Sequence, residues 1–222
     1  AIKRREDPRL ITGAGSFLDD IKLPGMTHAV LVRSPYAHAR IRRIDTSAAE
    51  KMPGVLGVFT GQDFMDVNPL PAAWQAAGVK NNAVTPRVLA VNEVHQVGDP
   101  VAVVVAEDRY LARDAADAVV VEYDPLPVVV DAKKATEPGA PQLHEEAPNN
   151  IVLEWTCGKD EATVDAALEQ SEVRVSSHLI NQRLIPTAIE PRGSIGKYDP
   201  ATDEYTPCAT SPAPHVHRLL PG

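Results

Sequence analysis

The stretch "VGDPVAVVVAEDRYLARDAADAVVVEYDPLPVVVD", residues 97–131, decides the fold class of this chain. A Gly-Asp-Pro turn leads into the apolar run 101–105, which has no polar side chain for solvent and therefore predicts a central strand covered on both faces. Apolar residues at helical spacing follow over 111–119. Residues 120–123 then predict a strand, which two prolines interrupt before 128–130 close it. This order predicts a small α/β domain that ends with the stretch.

The residues upstream predict the same kind of unit. Residues 40–44 alternate charged and apolar side chains, as a half-buried strand does. A short helix follows, with Asp45 or Thr46 as its cap, and it ends at Met52 before a Pro-Gly pair. Strands are predicted, in chain order, over residues 29–33, 40–44 and 55–60.

The chain divides into four predicted segments. Residues 1–14 form an N-terminal arm, and residues 15–131 form the α/β domain. Residues 132–150 are polar, acidic and rich in proline, which predicts a linker. Residues 151–222 then begin a second domain.

The second domain is predicted from shorter signals. A hairpin is indicated by a turn in "DPATDE", which has Asp at its first position and Pro at its second. The chain stops in "PHVHRLL", where a further helix begins, so we expect a fragment of a longer protein. The predicted elements are strands over 151–155 and 172–180, a helix over 161–170, and hairpin arms over 192–199 and 204–211.

Composition limits the classes of function. The chain has 222 residues, 44% of them hydrophobic, which is enough for a sizeable core in one or two domains. Acidic residues outnumber basic ones by 30 to 22, giving a net charge of −8, and basic residues cluster only at positions 3–5. Nucleic-acid binding requires clustered positive charge, so no nucleic-acid partner is expected.

The cellular setting is also predicted from absences. Cys157 and Cys208 lie far apart, so they form no CxxC motif or disulfide framework, which favours a reducing compartment. No apolar run is as long as a membrane span, and no signal peptide is recognisable. We therefore expect a cytoplasmic protein without a membrane span.

Several segments in collinear order closely resemble the N-terminal part of the molybdopterin-binding large subunit of the xanthine dehydrogenase / aldehyde oxidase / aerobic carbon monoxide dehydrogenase family. The resemblance covers essentially the whole chain. It implies an a/b hammerhead domain over 15–131 and the start of a molybdopterin-binding domain after it. The segments are "LITGAGSFLDDI", "SPYAHARIRRIDTSAA", "PGVLGVFTGQDF", "VGDPVAVVVAED", "ARDAADAVVVEYDPLPVVVD" and "EPRGSIGKYDPATDEYT".

The resemblance implies a molybdenum hydroxylase. Such enzymes oxidise an aldehyde, an N-heterocycle or carbon monoxide, with water as the oxygen source. The implied cofactor is molybdenum-molybdopterin cytosine dinucleotide. The implied partners are a small subunit with [2Fe–2S] clusters and a medium subunit with FAD, assembled as a dimer of heterotrimers.

The resemblance also assigns site residues. The family's catalytic base, a glutamate near the C-terminus, lies outside this chain, so no catalytic residue is predicted within it. Glu190, Arg192 and Ser211 are predicted cofactor-binding residues near the cofactor or the substrate channel. Relatives commonly have a glutamine after the Thr-Ser pair, where this chain has Pro212, and that substitution removes a side-chain donor.

From the residues alone, a solvated pair beside a turn is the favoured interpretation of Glu190 and Arg192, and the resemblance raises the weight of a place near the substrate channel or a domain interface. The histidines are dispersed, and His215 and His217 are too poorly placed to share a metal, so no metal ligand is predicted. The cysteines are predicted to be structural thiols, because no neighbouring base would stabilise a thiolate. The glycines of "TGAGS" and "TGQD" are predicted to serve turns and not phosphate binding.

Two questions stay open from the sequence. The long segment 66–87, with Trp74, is either a peripheral loop with one anchor or a contact with the iron–sulfur or flavin subunit. The whole chain is either part of an enzyme or a non-catalytic interaction or assembly module from a truncated or split gene. In both cases we expect the isolated chain to carry no molybdenum and to be inactive.

Overall fold

The structure is a computed structural model that describes residues 4–70, 79–82, 84–182, 184–185 and 187–215. The helices within these residues are α1 Asp7–Ile11, α2 Ser47–Glu50, α3 Arg109–Asp117 and α4 Glu161–Glu169. The strands are β1 His28–Arg33, β2 Ala39–Asp45, β3 Val55–Thr60, β4 Lys80–Asn81, β5 Glu93–Val94, β6 Pro100–Ala106, β7 Val120–Pro125, β8 Leu153–Glu154, β9 Ser194–Asp199 and β10 Glu204–Ala209. Short 3-10 helices span Leu18–Asp20, Gly61–Phe64, Lys134–Thr136 and Pro148–Asn150.

The chain forms two units. The central unit is Met26–Asp160, and the terminal unit combines Ala1–Gly25 with Glu161–Gly222. The segment 132–150, which the sequence predicts to be a linker, thus lies inside the central unit. No helix among the described residues is long and apolar enough to cross a membrane.

The central unit is built around β6, as the apolar run predicts. This strand lies between β1 and β3 in an antiparallel sheet. Val101 and Val104 are fully buried, whereas Val103 and Val105 are only partly buried. The central position of the predicted strand is confirmed, but its two faces are not equally covered.

Helix α3 packs on this sheet through its small side chains. Asp108 caps the helix, because its carboxylate accepts the backbone N–H groups of Tyr110 at 2.7 Å and Leu111 at 3.3 Å. Alanine side chains let the helix approach β6 closely. The resulting core contains Ala49, Val104, Ala115, Ala116 and Val119.

A second antiparallel sheet, in the order β5-β2-β7, packs beside the first. Ala39 and Val94 of this sheet form a buried cluster with Val101 of β6. Val32 and Ile44 contact both this cluster and the core beneath α3. The two sheets therefore bury one continuous apolar interior.

Two predicted strands of the central unit differ in the structure. Residues 128–130 form no strand, and Val130 is 91% exposed, because Pro125 and Pro127, which precede this run, lack the N–H groups that a ladder requires. The predicted strand 151–155 is reduced to β8, which pairs with β4 inside the central unit. It does not begin a new sheet with the hairpin.

Hydrogen bonds from its own side chains hold the segment 132–150 in a defined loop. The Asn150 amide donates to the carbonyls of Ala135 and Pro141, each at 2.9 Å, and its oxygen accepts the Leu143 N–H. The Gln142 amide donates to two further carbonyls in the segment. A polar, proline-rich composition therefore specifies a hydrogen-bonded loop here.

The terminal unit has little buried apolar surface. Its hairpin, β9 with β10, has the predicted position and register, with Tyr198 opposite Tyr205. Helix α4 lies where it is predicted, but none of its residues is buried. The predicted strand 172–180 is absent: these described residues are exposed and form no sheet. A strand needs a partner for its backbone, and the hydrophobic pattern alone supplies none.

Candidate functional site

Glu190 lies at the centre of the contacts between the two parts of the terminal unit. Its Oε1 atom accepts the backbone N–H of Leu18 at 2.8 Å, and the residue is half-buried. Nearby, a Cβ atom on Gly193 would lie 2.6 Å from the Leu18 side chain, so the absence of a side chain permits this close approach. Among the described residues, Glu190 forms no ion pair with Arg192. Its carboxylate instead anchors the segment that precedes the hairpin.

Arg192 and Ser211 lie together at the open end of the hairpin. The ladder of β9 and β10 continues through Gly193 and Thr210, because the Thr210 N–H donates to the Gly193 carbonyl and the Gly193 N–H donates to the Thr210 hydroxyl, both at 3.2 Å. Arg192 and Ser211 are the next residue on each arm. The two predicted residues are thus brought to the same end of one element.

These two side chains provide hydrogen-bond donors. The Arg192 side chain is exposed and carries a permanent positive charge with several N–H groups. The Ser211 oxygen accepts the Ala213 N–H at 3.1 Å, which leaves the hydroxyl proton for another acceptor. Pro212 adds no donor, because proline has neither a backbone N–H nor a polar side chain. This end of the hairpin is therefore suited to an anionic ligand rich in acceptor atoms.

Three histidines that are far apart in sequence meet in the central unit. His38 and His95 have ring centroids 5.4 Å apart, and the His144 ring lies 4.1 Å from that of His95. Together with Glu93, the first two place potential metal-ligating atoms within 4.8 Å of one another. The spacing of neighbouring histidines along the sequence does not reveal this cluster, so the prediction of no metal ligand did not consider it. The usable signal was the alternation in "EVH", which puts Glu93 and His95 on one face of a strand.

Burial and nearby charges shift the pKa values of two side chains of the central unit, His95 and Tyr123. Burial is the main cause that lowers the pKa of His95, and the nearby His144 and His38 lower it further, while Glu93 and Asp99 oppose the shift. Burial also raises the pKa of the Tyr123 hydroxyl. Both effects favour the neutral form of the side chain.

The remaining candidates from the sequence are two cysteines, two glycine-containing motifs, Trp74 and His217. Cys157 and Cys208 are exposed free thiols. In "TGQD", the Asp63 carboxylate accepts the Thr60 N–H at 2.7 Å and so caps the 3-10 helix that starts at Gly61. In "TGAGS", Gly13 adopts a positive φ of 72° after α1, as a turn glycine does. Trp74 and His217 lie outside the described residues.

Two family models match the chain in succession. The model described as aldehyde oxidase and xanthine dehydrogenase, a/b hammerhead domain, matches residues 12–127. The model described as molybdopterin cofactor-binding domain matches residues 143–220. The first match covers the strands and helices of the central unit up to β7, and the second includes the hairpin.

Similar proteins include the large chain or large subunit of two enzymes. The carbon monoxide dehydrogenase large chain of Hydrogenophaga pseudoflava is 41% identical and aligns with 97% of this chain. The nicotine 6-hydroxylase large subunit of Paenarthrobacter nicotinovorans is 38% identical over 98% of this chain. The chain spans only 28% and 26% of the length of these two relatives.

Solved structures of similar fold also cover nearly the whole of this chain. Reconstituted CO dehydrogenase from Oligotropha carboxidovorans matches with a TM-score of 0.82 and 38% identity, covering 99% of this chain and 28% of that one. The aldehyde oxidoreductase from Desulfovibrio desulfuricans matches with a TM-score of 0.80 and 28% identity, covering 99% of this chain and 24% of that one.

Proposed function

Because the chain belongs to the aldehyde oxidase and xanthine dehydrogenase family, we propose that it forms part of the large subunit of a molybdenum hydroxylase. The observation that carries this proposal is the order of the two matches, a hammerhead domain over 12–127 and a molybdopterin-binding domain over 143–220. The substrate class is an aldehyde, an N-heterocycle or carbon monoxide. Relatives named for carbon monoxide and for nicotine are almost equally similar, so similarity over these residues does not distinguish among the substrates.

The hairpin end fits the cofactor by the chemistry of its donors. Molybdopterin carries a phosphate and a ring with several acceptor atoms, and Arg192 and Ser211 offer a guanidinium and a hydroxyl proton to such a group. When bound, molybdenum-molybdopterin supplies the redox chemistry of substrate oxidation. We assign Arg192 and Ser211 to cofactor binding, in the cytosine dinucleotide form.

Glu190 acts as a positioning residue in this proposal. Its carboxylate accepts a hydrogen bond from the Leu18 N–H and thereby fixes the segment that leads into the hairpin. Pro212 cannot supply the donor that relatives place there, so Arg192 and Ser211 bear more of the cofactor contact in this chain. No residue of the chain is assigned as the catalytic base.

We further propose that the complete protein works with two electron-transfer subunits. These are a medium subunit with FAD and a small subunit with [2Fe–2S] clusters, assembled as a cytoplasmic dimer of heterotrimers. The segment 66–87 is a candidate contact with one of them. The similarity to large subunits of multi-subunit enzymes supports partner subunits in general, and FAD and [2Fe–2S] clusters are proposed because they would carry electrons away from a molybdenum centre.

The test is to tag the chromosomal gene, purify the protein natively, and measure molybdenum, iron and flavin per large subunit. We expect all three, together with release of cytosine monophosphate on acid hydrolysis. Iron and flavin without molybdenum would instead support the hypothesis that the chain is a non-catalytic interaction module. The absence of all three would refute both this hypothesis and the proposed molybdenum hydroxylase.

A pair of variants tests the assigned site. Arg192→Ala should lower the molybdenum content, since it removes a charged donor from the cofactor. Arg174→Ala is the matched control, because Arg174 is exposed and donates to the Glu169 carbonyl within the same unit. Equal molybdenum content in the two variants would contradict the assignment of Arg192.

A further inference from the structure

The register of β2 and β5 brings a carboxylate and two imidazoles to one face of a sheet. Ala39 pairs with Val94, and Arg40 pairs with Glu93. The next opposed positions along the two chains are His38 and His95. Because side chains alternate between faces, these two histidines, Glu93 and Arg40 lie on the same face.

His38 presents an unused lone pair to this cluster. It is only 6% exposed, and its Nδ1 atom lies 2.7 Å from the Pro127 carbonyl oxygen. A carbonyl only accepts, so Nδ1 carries the proton and Nε2 is the basic nitrogen of the neutral ring. That Nε2 atom is buried and has no hydrogen-bond partner among the described residues. A bond from the second ring nitrogen to a carbonyl is typical of histidines that bind metals.

Glu93 is held in position to complete the same site. Its Oε2 atom lies 3.8 Å from His38 Nε2, which is longer than a hydrogen bond. Its Oε1 atom accepts from the Arg40 guanidinium at 3.3 Å. One oxygen is therefore oriented by a cation, and the other faces His38. Carboxylates that bind metals are commonly oriented in this way by an outer donor.

His95 supplies the third group. Its Nδ1 atom is buried and likewise has no hydrogen-bond partner among the described residues. Its backbone N–H donates to the Asp99 carboxylate at 2.7 Å, which fixes the turn after β5. The His144 ring lies against it, 4.1 Å between centroids, and the loop that carries His144 is held by Gln142.

We propose that His38, Glu93 and His95 bind a divalent transition-metal ion, for which Zn²⁺ is the best chemical match. The three ligand atoms lie within 4.8 Å of one another, whereas neighbouring ligands of a tetrahedral zinc ion are about 3.4 Å apart. Side-chain movements of about 1 Å therefore suffice to close the site. Two imidazoles and one carboxylate favour zinc over the harder ions Mg²⁺ and Ca²⁺.

A bound metal ion satisfies more of the polar atoms in this cluster than an ion pair between His38 and Glu93 does. Protonation of His38 would pair it with Glu93 but would leave His95 Nδ1 without a partner. A buried nitrogen without a hydrogen-bond partner destabilises the fold, and the described residues leave two such nitrogens here. A single cation between the three side chains satisfies both nitrogens and the carboxylate together. Three protein ligands would leave a fourth position for water.

The test is metal binding by the purified 222-residue chain after treatment with a chelator. Zn²⁺ is titrated by competition with a chromophoric chelator, and Co²⁺ is used to detect the visible absorption of a tetrahedral site. We expect one ion per chain, together with a Zn²⁺-dependent rise in the melting temperature. Stoichiometric binding with no effect on His38 and His95 in imidazole NMR spectra would overturn the proposal, as would an absence of binding.

Variants separate the site from adventitious binding. Glu93→Gln keeps the shape of the side chain and should weaken Zn²⁺ binding at least as much as the loss of an outer partner, about 10–100-fold. His178→Ala removes an exposed histidine of the terminal unit and should leave the affinity unchanged. Equal affinities in the two variants would refute the site. Should Glu93→Gln fail to fold by circular dichroism, the NMR shifts of the wild-type chain decide the question by themselves.

Discussion

The central and terminal units bury their apolar residues to very different extents. In the central unit, Val104 is fully buried between the sheet and α3. In the terminal unit, Val175 is 88% exposed and Leu179 is 87% exposed. Both regions contain runs of valine and leucine that predict strands. Among the residues that the structure describes, only the run in the central unit has neighbouring strands with which it pairs.

The difference shows that a hydrophobic pattern specifies a strand only where the topology supplies a partner. The β6 run lies between β1 and β3, so both edges of its backbone are paired. The described residues 172–182 have no paired edge. Intrinsic strand preference is worth at most about 1 kcal/mol for a residue, which does not replace the missing hydrogen bonds and burial.

Hydrogen exchange should show this contrast most strongly. Amides of β6 should exchange only by global opening of the central unit, which for a stable domain requires at least about 5 kcal/mol. Amides of residues 172–182 should exchange close to the rate of an unfolded chain. Mass spectrometry of peptides from the two regions measures both rates. Similar protection in the two regions would remove the basis of the comparison.

Two leucines provide the next test, one from each unit. Leu89 is 1% exposed, so Leu89→Ala should lower the free energy of unfolding by about 3 kcal/mol, through lost burial and the cavity that remains. Leu179→Ala removes the same atoms from an exposed position and should change it by less than about 0.5 kcal/mol. Urea unfolding followed by circular dichroism compares them. A large loss in Leu179→Ala would mean that this side chain is buried in solution.

Two glycines test packing at matched backbone strain. Gly54 and Gly13 have positive φ angles of 78° and 72°, so alanine at either position costs about 1–2 kcal/mol in backbone strain. A Cβ atom on Gly54 would also lie 2.6 Å from Leu111 Cδ1, whereas on Gly13 it would meet nothing within 4 Å. Gly54→Ala should therefore be the more destabilising, by about 1 kcal/mol.

A double variant isolates the packing contribution. Leu111→Ala removes the atom that the new Cβ would meet, so Gly54→Ala should cost less in that background than in the wild type. Additive losses in urea unfolding would show that backbone strain alone accounts for Gly54.

The sequence predicted the central unit better than the terminal one. The strands at 29–33, 40–44, 55–60 and 101–105 are confirmed, because each has a strong periodic signal and an adjacent pairing partner. The strand at 128–130 was predicted wrongly, since Pro125 and Pro127, which lead into it, lack the N–H groups that a ladder requires. The composition of the segment 132–150 predicts a linker. In the structure, hydrogen bonds from side-chain amides hold this segment in a loop, and composition does not reveal such specific contacts.

The candidate sites show the same limit. Arg192 and Ser211 could be placed at one hairpin end from the sequence, because a turn fixes the register of its two arms. The hydrogen bond from the Leu18 N–H to Glu190 could not be predicted from the sequence, since it joins residues that are 172 positions apart. The meeting of His38 with His95 likewise depends on the pairing of β2 with β5, two strands that are not adjacent in the chain.

The smallest expected effect concerns the pH response of the central unit. The pKa of Asp45 is lowered mainly by the hydrogen bond from the Ser47 hydroxyl, then by the Ser47 N–H, and also by the charge of Arg43. A lowered pKa in the folded state means that this carboxylate stabilises the fold above its ordinary pKa of about 3.9. That stabilisation is lost as the pH falls through the lowered value.

Ser47→Ala should raise the pKa of Asp45 toward the ordinary value and reduce this loss at acidic pH. The pKa of Asp131 should be unchanged, because the backbone N–H groups of Lys134 and Lys133 lower it and the substitution does not touch them. Carboxyl-carbon NMR titration of both residues measures the two values in one sample. Since the Asp45 side chain is about one-third exposed, screening by solvent keeps the accompanying change in stability small, and only the pKa shift itself is expected to be resolved. An unchanged Asp45 pKa in Ser47→Ala would show that the backbone N–H and Arg43 hold the carboxylate without the hydroxyl.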